Sequence, residues 1–269
     1  INITLQTGGA AAWENASISD GKTERHIIKN GELQNVANLG ETQMTSPNTL
    51  TDFIKWSASN YPADRYELLL WNHGGGTALG FGYDEMYPDD MLSLSQIGNA
   101  LSDSGIKFDI VGFDACLMGT IETAYMLEPY ADYLVASEEY EPGTGWYYSE
   151  WLKNLSDNTS MPTVEIGKKI VEDYINGPDS SFFDSNTLSI VDLREIPYTY
   201  SKLCETMQQE EGVLDSRYSV ISQARYNAKS FGDGEYEQID IKSYLEECGK
   251  SDTELGKAVS YTHLTLPTT

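Results

Sequence analysis

Two apolar runs in this sequence each end in a side chain capable of nucleophilic chemistry. Residues 67–71 are followed by His73, and residues 108–113 are followed by Cys116. In a parallel sheet the carboxyl ends of neighbouring strands lie at one edge, so residues distant in sequence meet there. A thiolate is a strong nucleophile, and an imidazole beside it lowers its pKa, positions it and protonates the leaving amine. The pair predicts a cysteine peptidase.

Each residue of the pair has a structural alternative. Cys116 precedes a predicted helix, whose dipole would stabilise the thiolate, but a cysteine after an apolar strand is more often a buried core residue. A histidine can cap a strand or bond within a loop. His26 competes with His73, but it lies in a charged run that predicts a solvated position. Glycines 74–76 permit close backbone approach. No Gly-Lys-Ser/Thr follows them, so a phosphate-binding loop is not expected.

The elements that must position the pair alternate between strand and helix. Apolar spacing and breakers predict helices at 47–59, 94–104, 119–128, 147–155 and 163–176, and strands at 133–137 and 187–192 besides the two that carry the pair. Such alternation indicates an α/β domain with a mainly parallel sheet flanked by helices. A strand at 1–6 and a hairpin at 23–36, turning at Asn30-Gly31, are expected to start this sheet. Residues 194–257 are predicted to be mostly helical.

An ordered series of motifs extends from about Ile3 to about Leu245. Besides the two reactive runs, ELLLWNHGGG at 67–76 and FDIVGFDACLMG at 108–119, it contains TLTDFIKW at 49–56, YPADRY at 61–66, YADYLVASEE at 130–139 and GTGW at 143–146. This series resembles the clostripain family of cysteine peptidases, relatives of the caspases and gingipains. The resemblance implies a caspase-like α/β/α sandwich, an endopeptidase that requires no cofactor, and a secreted or surface-attached bacterial enzyme.

The resemblance also assigns roles within the site. The amides of Gly74 and Cys116 would form the oxyanion hole, which stabilises the charge of the tetrahedral intermediate. Asp114 would line the specificity pocket and select Arg or Lys in polypeptide substrates by a charge-assisted hydrogen bond. The alternative is a structural carboxylate bonded to loop amides. Three glutamates after the next strand are further candidates for the pocket: Glu138, Glu139 and Glu141.

The bulk composition limits the partners. Asp and Glu outnumber Lys and Arg by 42 to 17, which gives a net charge of -25. This charge disfavours nucleic-acid binding, attracts cationic peptides and maintains solubility. The sequence has no run of eighteen or more apolar residues, so no membrane span is expected. The four carboxylates at 83–90 could bind calcium, on which some relatives depend, but they lack EF-hand spacing and favour a solvated acidic loop.

The remaining cysteines and the chain ends carry little chemistry. Cys204 and Cys248 lie in predicted helices without metal-ligand spacing, which indicates small buried residues rather than ligands or a disulfide. We expect one peptidase domain over 1–258 whose first native strand is missing. Residues 259–269 resemble adapter read-through and are treated as a non-native tail. The oligomeric state is left open.

One departure from the family concerns activation. Relatives often cleave themselves after a basic residue between the catalytic histidine and cysteine, but residues 74–106 contain no Lys or Arg. We therefore expect no self-cleavage there. A second interpretation retains the fold and dyad but changes the pocket, and a third is a catalytically silent surface binding module. The intact His73, Cys116 and glycines argue against the third.

Overall fold

A computed structural model describes residues 1–177, 186–209, 214–232 and 238–251. The predicted tail at 259–269 lies outside the described residues. The elements in chain order are β1 (Thr4–Thr7), β2 (Thr23–Lys29), β3 (Glu32–Gly40), α1 (Pro47–Asn60), β4 (Glu67–Trp71), α2 (Gly76–Leu79), α3 (Leu94–Ser104), β5 (Phe108–Asp114), α4 (Ile121–Leu127), β6 (Ala131–Ala136), α5 (Tyr148–Asp157), α6 (Thr163–Asn176), β7 (Ser189–Asp192), α7 (Ile196–Gln209), α8 (Leu214–Asn227), β8 (Ser230–Phe231), β9 (Gln238–Ile239) and α9 (Ile241–Ser251).

The central sheet has the order β4-β5-β6-β7. Strands β4, β5 and β6 are parallel, and β7 pairs antiparallel with β6. Helical crossovers connect the parallel strands, as parallel pairing requires. The α/β class with a mainly parallel, helix-flanked sheet is therefore confirmed.

Both faces of this sheet are buried, which explains why its strands carry apolar residues on both faces. One face packs against α1, α3 and α4 through a core that includes Leu50, Ile97, Val111, Phe113 and Leu134. The other packs against α5 and α6 through a core that includes Ile110, Val135, Trp151, Ile166 and Ile170. The helices are well delimited: α3 begins with a capping box between Ser93 and Gln96 and ends at Gly105 in the left-handed conformation.

The first three strands form a sheet of their own, in the order β1-β2-β3. The predicted hairpin is present, and both turn residues, Asn30 and Gly31, have positive φ. The prediction that these strands start the parallel sheet was wrong. Their antiparallel pairing is complete within the amino-terminal segment, so they do not pair with β4.

The predicted solvated position of His26 was also wrong, because its side chain is fully buried. His26 lies on β2, the middle strand of this small sheet. Its Nε2 is 3.0 Å from Thr7 Oγ1 and 3.8 Å from a carboxylate oxygen of Glu24, which is buried as well. The charged residues around His26 therefore belong to a polar cluster between strands.

The carboxyl-terminal segment consists of a helix pair and a short hairpin. Helices α8 and α9 pack together through Ala224, Tyr244 and Cys248. Cys204 on α7 is half-buried, Cys248 is buried, and neither forms a disulfide. Strands β8 and β9 pair antiparallel, with Phe231 opposite Gln238. In the described part of the chain, no helix is long and apolar enough to cross a membrane.

Candidate active site

The strand register brings the two predicted catalytic residues to the same edge of the sheet. Trp71, the last residue of β4, pairs with Asp114, the last residue of β5. The Asn72 N–H donates to the Asp114 carbonyl at 3.3 Å, so the alignment extends beyond the strands. His73 and Cys116 each lie two residues beyond the end of these strands. A Cβ placed on Gly74 would lie 2.1 Å from the Cys116 carbonyl oxygen, so the two loops are in backbone contact.

Asn72 fixes the loop that carries His73. Its Oδ1 accepts from the backbone N–H of His73 at 2.6 Å and of Tyr83 at 2.8 Å, and its Nδ2 donates to the Tyr83 carbonyl at 3.2 Å. The Gly82 N–H closes the loop on the His73 carbonyl. The imidazole is exposed and meets the Tyr83 ring edge-on, with centroids 6.1 Å apart. His73 is therefore oriented by its backbone and accessible to a substrate.

Cys116 lies in a turn between β5 and α4, not at the helix terminus that the sequence predicted. The N-cap of α4 is Thr120, so the helix does not donate to the thiol. The donor is instead the Glu141 N–H, 3.3 Å from Cys116 Sγ. Leu117, the next residue, has φ of 65°, which is strained for a branched side chain.

The surroundings of Cys116 favour the neutral thiol. Burial raises the pKa of Cys116, and the negative charge of Glu139 raises it further, while the Glu141 N–H opposes the shift. The expectation that a helix dipole stabilises the thiolate is therefore wrong for this turn. A thiol held neutral requires a base to take its proton during reaction, which is the role predicted for His73.

The two amides predicted for the oxyanion hole belong to residues in contact. In the described part of the chain, neither the Gly74 N–H nor the Cys116 N–H donates a hydrogen bond to another residue. The hydrogen bonds of the β-bridge between Gly74 and Phe81 are made by the residues on either side of these two, so the bridge does not use the Gly74 N–H. Two unpaired donors beside a nucleophile are suited to binding a developing oxyanion.

Asp114, two residues before Cys116, is buried and is only 2% exposed. Its Oδ2 accepts from the Trp146 N–H at 2.9 Å and from the Tyr148 hydroxyl at 2.8 Å. Gly145 has φ of 71°, and a Cβ there would lie 2.7 Å from the same oxygen. These contacts match the structural alternative, in which Asp114 holds the loop that precedes α5.

Glu141 shares this buried site with Asp114. The two side chains are hydrogen-bonded to each other, and the Trp146 indole N–H donates to both Glu141 oxygens at 3.1 and 3.3 Å. Burial raises the pKa of both carboxyls, and the charge of Asp114 raises the pKa of Glu141 further. Two interacting carboxyls disfavour double ionisation, so the pair holds one proton and one negative charge near neutral pH.

The other two candidate glutamates have different positions. The Glu139 carbonyl accepts from the Leu117 N–H at 3.1 Å, and its side chain accepts from the Gly232 N–H. Burial, and then the negative charge of Asp240, raise the pKa of Glu138 to about 7, while the positive charge of Lys229 lowers it. Glu139 therefore bonds to the carboxyl-terminal segment and Glu138 lies within electrostatic range of it, whereas Glu141 is bonded to Asp114 and Trp146.

The acidic loop after the glycines is only partly solvated. Asp84 is completely buried, and its carboxylate accepts from the N–H groups of Met44 and Met86. Glu85 accepts from the Ala11 N–H. Among the residues that the structure describes, no group of three or more His, Cys, Asp or Glu is arranged to hold a metal ion. Calcium dependence stays a prediction.

Sequence reasoning missed several residues of this site. Asn72 could have been noticed because it directly precedes His73. The pairing of Glu141 with Asp114 and its bond to Cys116 have no signal in residue spacing, since they cross from one loop to another. Gln238 lies in a segment predicted to carry little chemistry, yet its Nε2 donates to the Leu117 carbonyl at 3.3 Å.

Comparison with known proteins confirms the family that the sequence resembles. Residues 13–263 match the model of the clostripain family. Clostripain from Hathewaya histolytica is 36% identical over 128 residues, which are 41% of this chain and 24% of the length of that protein.

Solved structures show the same fold. A secreted C11 cysteine protease from Bacteroides thetaiotaomicron, bound to an irreversible peptide inhibitor, has a TM-score of 0.71 at 17% identity, over 91% of this chain and 70% of the other. An inactive zymogen C11 protease from Parabacteroides distasonis has a TM-score of 0.68 at 18% identity, over 91% and 68%.

Proposed function

Because the chain belongs to the clostripain family, we propose that it is a cysteine endopeptidase that cleaves after Arg or Lys through His73 and Cys116. The observation that carries this proposal is the parallel register of β4 and β5, with Trp71 opposite Asp114. That register aligns an exposed imidazole with a thiol at the carboxyl edge of the sheet, where active sites of open α/β sheets collect.

The proposed reaction needs no cofactor. The His73 imidazole takes the proton of the Cys116 thiol, and the sulfur attacks the carbonyl carbon of the scissile bond. The carbonyl oxygen becomes an oxyanion that accepts from the N–H groups of Gly74 and Cys116. As the intermediate collapses, His73 protonates the leaving amine and a thioester remains. Water, deprotonated by His73, then attacks the thioester, releasing the acid and the thiol.

The buried carboxyl pair supports the preference for a basic residue. Asp114 and Glu141 together carry one negative charge beside Cys116, and the Trp146 and Tyr148 rings border them. A guanidinium or ammonium group entering this site would compensate that charge and gain charge-assisted hydrogen bonds. The net charge of -25 also attracts cationic polypeptides.

A second specificity is favoured by one observation. Asp114 is nearly inaccessible, and its Oδ2 already accepts from Trp146 and Tyr148. If these bonds persist when substrate binds, Asp114 only holds the loop, and the same dyad cleaves after a residue other than Arg or Lys. The two candidates share a mechanism and differ in the pocket.

The test is the hydrolysis of matched fluorogenic peptides ending in Arg, Lys, Asp or Ala. The wild type is compared with Cys116→Ala, Asp114→Asn and the control Asp109→Asn, which changes an aspartate on the same strand that bonds to Tyr66 and Arg65. We expect cleavage after Arg or Lys, no activity in Cys116→Ala, and a loss of the basic preference in Asp114→Asn alone. Each assay is run with calcium and with a chelator.

The outcomes separate the candidates. Cleavage after another residue, with Cys116→Ala inactive, would support the second specificity. Cleavage that persists in Cys116→Ala would contradict the proposed nucleophile. A secreted or surface-attached location belongs to the same proposal, and its support is the family and the secreted protease from Bacteroides thetaiotaomicron.

A further inference from the structure

One side chain of the carboxyl-terminal hairpin formed by β8 and β9, that of Gln238, contacts both the His73 loop and the Cys116 turn. Gln238 Nε2 donates to the Leu117 carbonyl at 3.3 Å, directly after the nucleophile. The same amide covers Gly76 in the histidine loop, because a Cβ built there would lie 1.7 Å from Nε2 and 3.0 Å from the Leu117 oxygen. Gln238 therefore touches the loop of His73 and the turn of Cys116 at once.

The turn that Gln238 contacts needs external support. Leu117 is fully buried with φ of 65°, a conformation that costs about 1–3 kcal/mol and persists only when neighbouring groups hold it. Its N–H donates to the Glu139 carbonyl, and its carbonyl accepts from Gln238. Two hydrogen bonds, one from each side of the turn, thus fix the peptide groups that follow Cys116.

The hairpin itself is anchored independently of Gln238. The Gly232 N–H donates to Glu139 Oε1 at 3.1 Å, and the Tyr140 hydroxyl donates to the Gly232 carbonyl at 3.2 Å. The Asp240 N–H donates to the Lys229 carbonyl at the other end of the hairpin. Gln238 is therefore presented from a fixed support, and replacing it need not release the hairpin.

We propose that Gln238 is a positioning residue for the peptidase, which holds the strained Cys116–Leu117 turn against the histidine loop. It does not touch the reacting atoms. It acts through the direction of the Cys116 N–H and sulfur and through the contact between the turn and Gly76. This inference rests on the proposed function for its effect on turnover, but the geometry of the thiol can be probed without a substrate.

The test compares Gln238→Leu with Gln223→Leu, a glutamine on α8 whose side chain bonds within its own helix to Asn227. Leucine retains much of the side-chain volume and removes the donor. We expect kcat on the fluorogenic Arg or Lys peptide to fall about tenfold in Gln238→Leu, with KM within about twofold, as the loss of one positioning hydrogen bond predicts. Gln223→Leu should match the wild type.

A second readout requires no peptidase activity. The rate of Cys116 alkylation by iodoacetamide is measured against pH by mass spectrometry, which distinguishes this cysteine from Cys204 and Cys248. In Gln238→Leu the turn relaxes and the sulfur loses alignment with the Glu141 N–H, so we expect slower alkylation near neutral pH and a higher pH midpoint. If the wild type cleaves no peptide, this shift still tests the inference by itself.

Wild-type kcat and an unchanged alkylation profile in Gln238→Leu would overturn the inference. Equal losses in both leucine variants, with a lower melting temperature, would indicate a structural role and overturn it as well. If Gln238→Leu fails to fold, Gln238→Glu is the second variant. It retains the length of the side chain and presents an acceptor to the Leu117 carbonyl, so the same losses are expected.

Discussion

The two principal sheets of this protein differ in the exposure of the histidine that each carries. His26 lies on the middle strand of the antiparallel sheet, fully buried beside Thr7 and Glu24. His73 lies just past the end of a parallel strand, exposed and next to the loop of Cys116. In the first sheet a hydrogen-bonded strand lies on each side of the histidine residue. In the second the ladder ends before His73 and leaves its ring open to solvent.

The difference shows that topology, more than residue type, decides which titratable group can react. Parallel strands end together and leave a crevice at their carboxyl edge, into which loops deliver side chains. His26, by contrast, lies within the middle strand of its sheet, with a hydrogen-bonded strand on each side. The small sheet thus holds a buried polar cluster, whereas the large one leaves His73 exposed at its carboxyl edge.

The sharpest test of this contrast is to remove each histidine in turn. We expect His73→Ala to lower kcat about 10³-fold, because the half-buried Cys116 thiol would lose its proposed base. We expect His26→Ala to leave kcat within about twofold, measured at a temperature where the variant is folded, because His26 contributes to stability alone. Fluorogenic peptide hydrolysis and circular dichroism measure the two effects. A kcat loss in His26→Ala comparable to that in His73→Ala would break the comparison.

A smaller effect is expected within the carboxyl pair of the parallel sheet. Asp114→Asn should lower kcat/KM for the Arg peptide about 100-fold, because a charge-assisted hydrogen bond is lost. Glu141→Gln should change it about threefold or less, since glutamine mimics the protonated carboxyl that the pair already contains. The measurement is kcat/KM for both variants near neutral pH. If Glu141→Gln proves as harmful as Asp114→Asn, the two carboxyls do not share a proton as described.

The antiparallel sheet should contribute to the pH dependence of stability. Burial lowers the pKa of His26, with the Glu24 carboxylate opposing the shift. The folded protein therefore binds this proton less readily than the unfolded chain, in which histidine titrates near a pH of about 6.5. The stability contributed by neutral His26 is fully present above that pH, and it is lost progressively as the pH falls from there through the lower pKa of the folded protein.

Urea denaturation of the wild type and His26→Gln at pH values between about 8 and about 5 measures this contribution. The wild type should lose more stability than the variant on acidification. Equal losses would mean that His26 does not carry the pH dependence. His73→Gln, which replaces the exposed histidine, serves as the matched control.

Much of the parallel region could be predicted from sequence, and less of the rest. The apolar spacing predicted α3 and α6 with the bounds that the structure has, because each helix repeats its buried positions over several turns. The position of His73 and Cys116 at the same edge of the sheet followed from strand order. The separate first sheet, the burial of His26 and the contact of Gln238 could not be predicted, because each depends on pairing between distant segments that no local pattern records.

The smallest effect is expected in the segment that joins the two catalytic strands. Residues 74–106 contain no Lys or Arg, and within them the buried Asp84 fixes the loop to Met44 and Met86. A peptidase that cuts after basic residues therefore finds no site there. Wild type and Cys116→Ala, incubated in parallel and analysed by mass spectrometry, should both remain intact between His73 and Lys107. Cleavage in the wild type alone would mean that the pocket accepts another residue, which would favour the second specificity over the first.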